Sequence, residues 1–268
     1  MPIKLVVSDV DGTMVNSEKL LTPATIDAAH RLRHAGVHLA LVSSRPPRGM
    51  AFLTMDLGLT GPLGGFNGAT ILAPDGAVIE ENVVPEAAVR ASLDLLARRG
   101  VDAWLFADNQ WFIKNLDGAY VPKERRTVRF DPVVVDDFEP YVARCGKVVG
   151  ASKDFDGLAE CEAELQGVLG HSAHAHRSQR YYLDVTNPHT DKGTAARSFA
   201  SWYGIDISEV CAIGDQFNDV PMFRVAGYSV AMGNAPPAVS AHAKHHSSTN
   251  EEDGWAAAID RYVLPNAG

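Results

Sequence analysis

The sequence predicts an α/β protein: a Rossmann-like core with a parallel sheet, split by an inserted α+β cap domain. Apolar strands alternate with amphipathic helical segments near both ends of the chain, the pattern of parallel βαβ units. Between them strands arrive in runs with few helices, the pattern of an antiparallel α+β module. Acidic residues follow directly on the first strand and on the strand ending at Ile213, the ends at which open α/β sheets bind ligands.

Ile3 to Val7 is a short, β-branched apolar run that reads as a buried strand, stopped by Ser8-Asp9-Val10-Asp11-Gly12-Thr13. Asp9 and Asp11 stand two apart, a spacing that in an extended segment sends both carboxylates to the same side. Asp and Gly are also ordinary turn residues, so this stretch alone fits a plain turn equally well. Thr22-Pro23 starts a helix with a capping hydroxyl and a proline in the first turn. Its apolar stripe is Ile26, Ala29 and Leu32, and Gly36 stops it. Val37 to Val42 is the second strand, parallel to the first. A helix is expected from Gly49 to Leu57 and a short strand from Leu63 to Phe66, before Asn67-Gly68-Ala69.

The inserted segment is expected over residues 84–186, leaving 1–83 plus 187–268 as the core. Within it Pro85 to Arg99 reads as a helix, and Ala103 to Phe106 and Trp111 to Lys114 as a hairpin around Asp108-Asn109. Val133 to Val135, Lys147 to Gly150 and Tyr181 to Val185 are further strands, with a helix over Leu158 to Leu169. The alternating pattern then returns with a helix at Lys192 to Tyr203 and a strand at Val210 to Ile213. After Gly214-Asp215-Gln216-Phe217-Asn218-Asp219 come a helix to Val225 and a strand at Ser229 to Met232. Short helices at Val239 to Ala243 and Gly254 to Arg261 close the chain.

With 268 residues, 46% of them hydrophobic and 21% charged, the chain can bury a full core over two domains. A net charge of −9 argues against nucleic-acid or anionic-membrane partners, but not against a small anionic substrate held by a metal and a few local cations. Cys145, Cys161 and Cys211 form no Cys-x-x-Cys pair, so reduced thiols in the cytoplasm are expected rather than a thiolate metal site. The start of the chain does not resemble a signal peptide, and no apolar run approaches membrane-spanning length.

If the strands are parallel neighbours, Asp9, Asp11, Asp215 and Asp219 gather at one sheet edge with Ser43 and Asn218. Four acids in a partly dry cleft repel one another strongly, and a hard divalent cation relieves that. Mg²⁺ fits best, because it takes a few carboxylates, waters and phosphate oxygens; no Cys or His joins the group to favour zinc. Asp9 is a candidate nucleophile and Asp11 a candidate general acid and base. Ser43 and Asn218 are neutral donors suited to phosphate oxygens, and Lys192 a point charge for the transition state. An acid cluster with a metal also fits a binding site without catalysis. Taken alone, Lys192 reads as a surface lysine; Arg45 and Asn67 either touch substrate or brace the strand ends. The histidine groups His171, His174, His176 and His242, His245, His246 read as solvated surface. Trp104 and Trp111 read as packing across the hairpin rather than as stacking platforms.

Asp9-Val10-Asp11-Gly12-Thr13, Ser43, Lys192 and Gly214-Asp215-x-x-Asn218-Asp219 resemble the four ordered motifs of the haloacid dehalogenase superfamily of phosphotransferases. More closely the chain resembles the Cof-type (subfamily IIB) phosphatases, whose α+β cap lies between the second and third motifs. Asn67-Gly68-Ala69, Met222, Ala231-Met232-Gly233-Asn234-Ala235 and Asp253-Gly254 also match, whereas Ser44 stands where the family usually has glycine. The resemblance implies that Asp9 attacks phosphorus and binds Mg²⁺, and that Asp11 binds it through its carbonyl while its side chain handles protons. It makes Asp215 the third protein ligand, with Asp219 supporting, and lets Ser43, Asn218 and Lys192 hold the phosphoryl group.

The expected function is Mg²⁺-dependent hydrolysis of a small phosphate monoester, a sugar phosphate or related metabolite, through a phosphoaspartate. A phosphomutase, or a catalytically silent module binding a metabolite or partner, are the alternatives. Inorganic phosphate release without a bisphosphate activator separates the first, turnover of an aryl phosphate the second. The substrate, the cap residues that meet it, and the choice between monomer and homodimer stay open at this level.

Overall fold

The structure is a computed structural model describing residues 1–268. In chain order it contains β1 (Leu5–Ser8), α1 (Pro23–His34), β2 (His38–Val42), α2 (Ala51–Asp56), β3 (Leu63–Gly65), β4 (Thr70–Leu72) and β5 (Val78–Glu81). There follow α3 (Glu86–Arg98), β6 (Asp102–Ala107), β7 (Gln110–Ile113), α4 (Val121–Val128), β8 (Val133–Val134), β9 (Cys145–Ala151), α5 (Phe155–Leu169), β10 (His174–Gln179) and β11 (Tyr182–Thr186). The chain ends with α6 (Lys192–Tyr203), β12 (Val210–Gly214), α7 (Val220–Val225), β13 (Tyr228–Ala231), α8 (Pro237–Ser240), β14 (His245–His246) and α9 (Gly254–Ala258). These elements form two compact units: Met1–Ile79 with Thr190–Gly268, and Glu80–His189.

The first unit is built on a sheet of order β14-β13-β12-β1-β2-β3-β4-β5. β1 is central and pairs in parallel with both β12 and β2. Alternate residues of these strands feed two apolar layers, as a two-residue period requires. Val6, Leu39, Leu41, Cys211 and Ile213 pack with Ala28, Ala29 and Leu32 of α1 and with Trp255. Leu5, Val7, Ala40, Val42, Val210 and Ala212 pack on the other side with Ala195, Ala196 and Phe199 of α6. The helix α1 begins as expected, with the Thr22 hydroxyl accepting from Thr25 N and Pro23 in the first turn. Because strands on both sides of β1 run parallel to it, their carboxyl ends open at one edge.

The second unit has a six-stranded sheet of order β10-β11-β9-β6-β7-β8, antiparallel apart from the β7–β8 pair. One face packs Leu105, Phe112, Val148, Leu183 and Val185 against α3 and α5. Residues just outside the expected 84–186 segment belong to this unit: the Asn187 amide donates to the Val83 carbonyl at 2.7 Å.

The sequence did not reveal β4, β5, α4, β10 or β14. β5 is exposed along its whole length, so it lacks the alternation that marks a half-buried strand. α4 is barely two turns with five charged or polar residues, too short for a helical period. In β10 only Ala175 is buried, as suits an edge strand. The closing helix is α only to Ala258 and continues as a π turn over Ile259–Val263.

Candidate active site

β1 ends at Ser8, whose hydroxyl donates to the Asp9 carbonyl and accepts from the Trp255 indole. Asp9 itself is buried, with its amide on the Ile213 carbonyl, so its carboxylate is delivered at the carboxyl end of β1 beside the end of β12. Lys192, the first residue of α6, is fully buried and reaches the same point. Its ammonium donates to Asp9 Oδ1 and to Asp219 Oδ1, both at 2.6 Å. Local chemistry fixes that helix start: Asp191 Oδ1 accepts from Thr194 N, and the Thr194 hydroxyl accepts from Asp191 N.

Asp219 uses its second oxygen, Oδ2, to accept the amides of Asp215 and Gln216, both at 2.8 Å. It therefore braces the turn after β12, and Gly214 makes room for it. A Cβ at Gly214 would lie 2.3 Å from the Asp219 carboxyl carbon. Asp215 accepts from the Thr13 hydroxyl (2.8 Å), the Gln216 amide (2.9 Å) and the Asn234 amide (3.1 Å). Gly12, at φ +79°, passes so close that a Cβ there would fall 2.5 Å from Asp215 Oδ2.

One carboxylate oxygen from each of Asp9, Asp215 and Asp219 lies within 4.8 Å of the others. Burial raises the Asp9 carboxyl well above the usual carboxylate range; Lys192 opposes this, and Asp219 and Asp215 add to it. Asp215 is pushed up to about 6, first by burial and then by Asp219, against the hydrogen bonds from Gln216 and Thr13. For Lys192, burial works against the charge, but Asp219 and Asp9 outweigh it and hold the ammonium above an ordinary lysine. One buried cation thus faces three buried acids. Asp219 spends its two oxygens on the Lys192 ammonium and on two backbone amides, whereas Asp215 accepts only from uncharged side chains, so Asp9 and Asp215 are the carboxylates that could take a cation. An all-oxygen donor set suits a hard divalent ion.

Asp11 does not join this group. The chain leaves the extended conformation after β1, and the amides of Thr13, Met14 and Val15 all turn back onto the Val10 carbonyl. Asp11 therefore lies past the end of the strand, where the two-residue period of an extended segment does not apply. Instead the Asp11 carboxylate accepts Arg45 Nε at 2.6 Å, Arg45 Nη2 at 2.7 Å and Lys19 Nζ at 2.8 Å. Burial acts to raise its pKa, but hydrogen bonds and charge from Arg45, with those of Lys19, hold the carboxyl far below the usual range. Arg45 is buried and also donates to the Gly49 carbonyl, so in this arrangement it braces Asp11.

Ser43, at the end of β2, is buried, and its hydroxyl accepts from Arg45 N. Its carbonyl accepts the amide of Asn67, which sits in the left-handed region at φ 59°. Asn67 Oδ1 in turn accepts from the Asn218 side-chain amide at 3.0 Å, while Asn218 Oδ1 is buried without a hydrogen-bond partner. Ser43, Asn67 and Asn218 are thus one connected polar row. Sequence reasoning assigned no role to Thr13, Asn234, Gln216 or Lys19, which orient Asp215 and Asp11. Thr13 and Asn234 lie within motifs quoted above, but their partners are more than 15 residues away and invisible to local spacing. His174 and His176 are exposed on β10.

The haloacid dehalogenase-like hydrolase family matches residues 6–259 of the chain. A putative phosphatase of Haemophilus influenzae is 26% identical over 261 residues, covering 97% of this chain and 98% of that protein. The HMP-PP phosphatase of Cronobacter sakazakii is 30% identical over 239 residues, 88% of this chain and 86% of that protein. Among solved structures, a haloacid dehalogenase-like hydrolase from Bacteroides thetaiotaomicron superposes with a TM-score of 0.89 at 30% identity, covering 97% of this chain and 99% of its own. The protein belongs to the haloacid dehalogenase-like hydrolase family and is a phosphatase.

Proposed function

We propose that the protein is a Mg²⁺-dependent phosphatase of small phosphate monoesters, sugar phosphates or related metabolites, acting through a phosphoaspartate on Asp9. The observation that carries this reading is the fully buried Lys192 bridging Asp9 and Asp219 beside Asp215. Such a cluster orients one carboxylate and leaves its neighbours short of positive charge. Mg²⁺ would be held by Asp9 and Asp215, with the Asp11 carbonyl as the resemblance implies, and would neutralise charge on the phosphoryl oxygens.

The Asp9 carboxylate forms an O–P bond as the ester O–P bond breaks, and the leaving oxygen takes a proton from Asp11. Water then attacks the phosphoaspartate, its proton passing to Asp11, which releases inorganic phosphate and restores Asp9. Asp11 can carry a proton only after its carboxylate parts from Arg45 and Lys19, because these two cations hold it ionised. Lys192 spreads the transition-state charge, and Ser43 and Asn218, linked through Asn67, donate to the phosphoryl oxygens. Selectivity among metabolites is assigned to the unit Glu80–His189. The three buried, unpaired cysteines support a reducing, cytoplasmic setting.

A phosphate-release screen over a metabolite panel, run with Mg²⁺ and with excess chelator, tests the reading. Turnover should require Mg²⁺ and no bisphosphate activator; full turnover in chelator would rule it out.

A further inference from the structure

The orientation of α1 is set by its buried residues, Thr25, Ala28, Ala29 and Leu32. A turn of about 100° per residue then puts Asp27, His30 and His34 together on the opposite ridge. His30 is half-buried and His34 exposed. No hydrogen bond, ion pair or ring contact engages the side chain of any of the three. His30 and His34 stand four apart, which places their Cβ atoms about 5–6 Å from each other. Helical side chains lean toward the helix N-terminus, so the His34 ring is carried over the turn that holds His30. Two ring nitrogens on one tetrahedral ion lie about 3.3 Å apart, given metal–nitrogen bonds of about 2.0–2.1 Å. Side-chain rotation alone brings this pair to that spacing, with the helix backbone unchanged.

We propose that His30 and His34 form a chelating site for a late first-row divalent cation such as Zn²⁺, Ni²⁺ or Cu²⁺, separate from the acid cluster at Asp9 and Asp215. Charge favours a cation at this point. The pair occupies the last turns of α1, near the negative end of the helix dipole. Asp27 adds a free carboxylate on the same ridge. The arginines on either flank are turned away. Arg31 Nε donates to Asp260 Oδ1 at 3.1 Å, and Arg31 Nη2 to Oδ1 and Oδ2 at 2.8 and 3.0 Å. Arg33 lays its guanidinium against Gly58, just past the end of α2.

Ligand type and position both sort this site from the acids. Imidazole suits zinc, nickel and copper, whereas Mg²⁺ takes oxygen. α1 ends at His34, and Gly36, at φ +74°, turns the chain into β2, which begins at His38 and leads at its far end to Ser43. The histidine pair therefore sits toward the amino ends of the strands, away from the carboxyl edge that carries Asp9. The other histidine groups lack this geometry. His174 and His176 share a face of β10, but residues two apart on a strand are separated by about 6.7 Å with parallel side chains, so their rings do not converge. His245 stacks on Tyr262, and a His246 ring nitrogen lies 3.1 Å from the Ser240 carbonyl.

The test titrates the full-length protein with Ni²⁺ by calorimetry, in excess Mg²⁺ to occupy the acids. The wild type should bind one Ni²⁺ that His30→Gln and His34→Gln each weaken about a hundredfold, because a chelate loses its second, intramolecular contact. His34→Gln combined with Ala35→His keeps the number of histidines but moves one ring about 100° around the helix, and should not restore binding. None of these side chains has a partner to lose, so the variants should keep the wild-type melting temperature without Ni²⁺ and the wild-type rate of phosphate release with Mg²⁺. In the wild type, Ni²⁺ should broaden the His30 and His34 ring resonances before those of the other histidines, a readout that stands even if a variant misfolds. Equal Ni²⁺ affinity in the wild type and either single variant, recovery with the relocated histidine, or earlier broadening of the other histidines would each overturn the proposal.

Discussion

Arg45 grips both oxygens of Asp11, Nε on Oδ2 at 2.6 Å and Nη2 on Oδ1 at 2.7 Å, from a side chain almost wholly buried. The pairing gives Asp11 a structural role besides any proton transfer. Asp11→Asn would leave the guanidinium buried with no anion, and breaking a buried pair from one side costs about 3 kcal/mol. The variant should therefore melt several degrees below wild type. Because the folded pKa is depressed, the stabilisation is complete above the unfolded value of 3.8 and is lost only as pH falls through the lowered folded value. The deficit should thus persist unchanged from about pH 8 to about pH 5; equal melting temperatures across that range would refute it.

Asp215 carries the opposite sign. Its folded pKa of about 6 lies above the unfolded 3.8, so in that interval the folded state binds the extra proton. Without metal, its charge opposes folding above about 6, and stability is regained as pH falls from 6 toward 3.8, a contribution on the order of 3 kcal/mol. Melting in chelator should show a rise on going from about pH 6 to about pH 4 that Asp215→Asn lacks. Mg²⁺ should stabilise the wild type at neutral pH and progressively less below about 6, where a proton competes for the carboxylate. A Mg²⁺-induced shift retained in full by Asp215→Asn would remove that residue from the metal site.

Lys192→Met should damage both stability and rate. It leaves Asp9 and Asp219 facing each other without their shared cation, in a setting where removing one partner of a buried pair costs about 3–5 kcal/mol. Loss of a donor to the developing charge should lower kcat by about 10²–10³-fold. Adding Asp219→Asn removes one of the stranded acids, so the double variant should recover part of the stability but none of the rate. Recovery of rate would show that Lys192 serves the fold alone. Denaturant unfolding and steady-state kinetics on the four members of the cycle separate the two effects.

The core was legible because its signals are local. Ile3 to Val7, Val37 to Val42 and Val210 to Ile213 are apolar runs bounded by turn residues, and Thr22-Pro23 is a helix start readable from two residues. The acids were found for the same reason, since each follows a strand directly. What spacing could not supply is pairing across the chain. Arg45 was left between substrate contact and brace because its hold on Asp11 spans 34 residues. Thr13 and Asn234 converge on Asp215 from separations of 202 and 19 residues, and no sequence period encodes that. Asp11 lies beyond the strand, so its partners Arg45 and Lys19 could not be read from the strand period. In the second unit the buried Lys147–Asp184 ion pair joins the neighbouring strands β9 and β11 across 37 residues, and only the strand register reveals it.

The two aspartates of the first motif should separate cleanly in the intermediate they leave behind. Asp9→Asn removes the attacking carboxylate, so no phosphoenzyme should form with any substrate. Asp11→Asn keeps that carboxylate, still held by Lys192, but removes the group that protonates the leaving oxygen and later activates water. General acid–base help of this kind is worth about 10²–10⁴-fold. An alkyl phosphate needs the proton to leave, so its first step should slow by that order. An aryl phosphate leaves unaided, and its first step should suffer less than the water attack that follows. Given an aryl phosphate, Asp11→Asn should therefore accumulate phosphoaspartate at Asp9. Intact mass spectrometry after acid quench would reveal one added phosphoryl group, absent in Asp9→Asn. The lost Arg45 pairing lowers stability alike for both substrates, so the alkyl-to-aryl rate ratio, measured well below the melting temperature, isolates the chemical role. Near-normal hydrolysis of the alkyl phosphate by folded Asp11→Asn would end the assignment of Asp11 as acid and base.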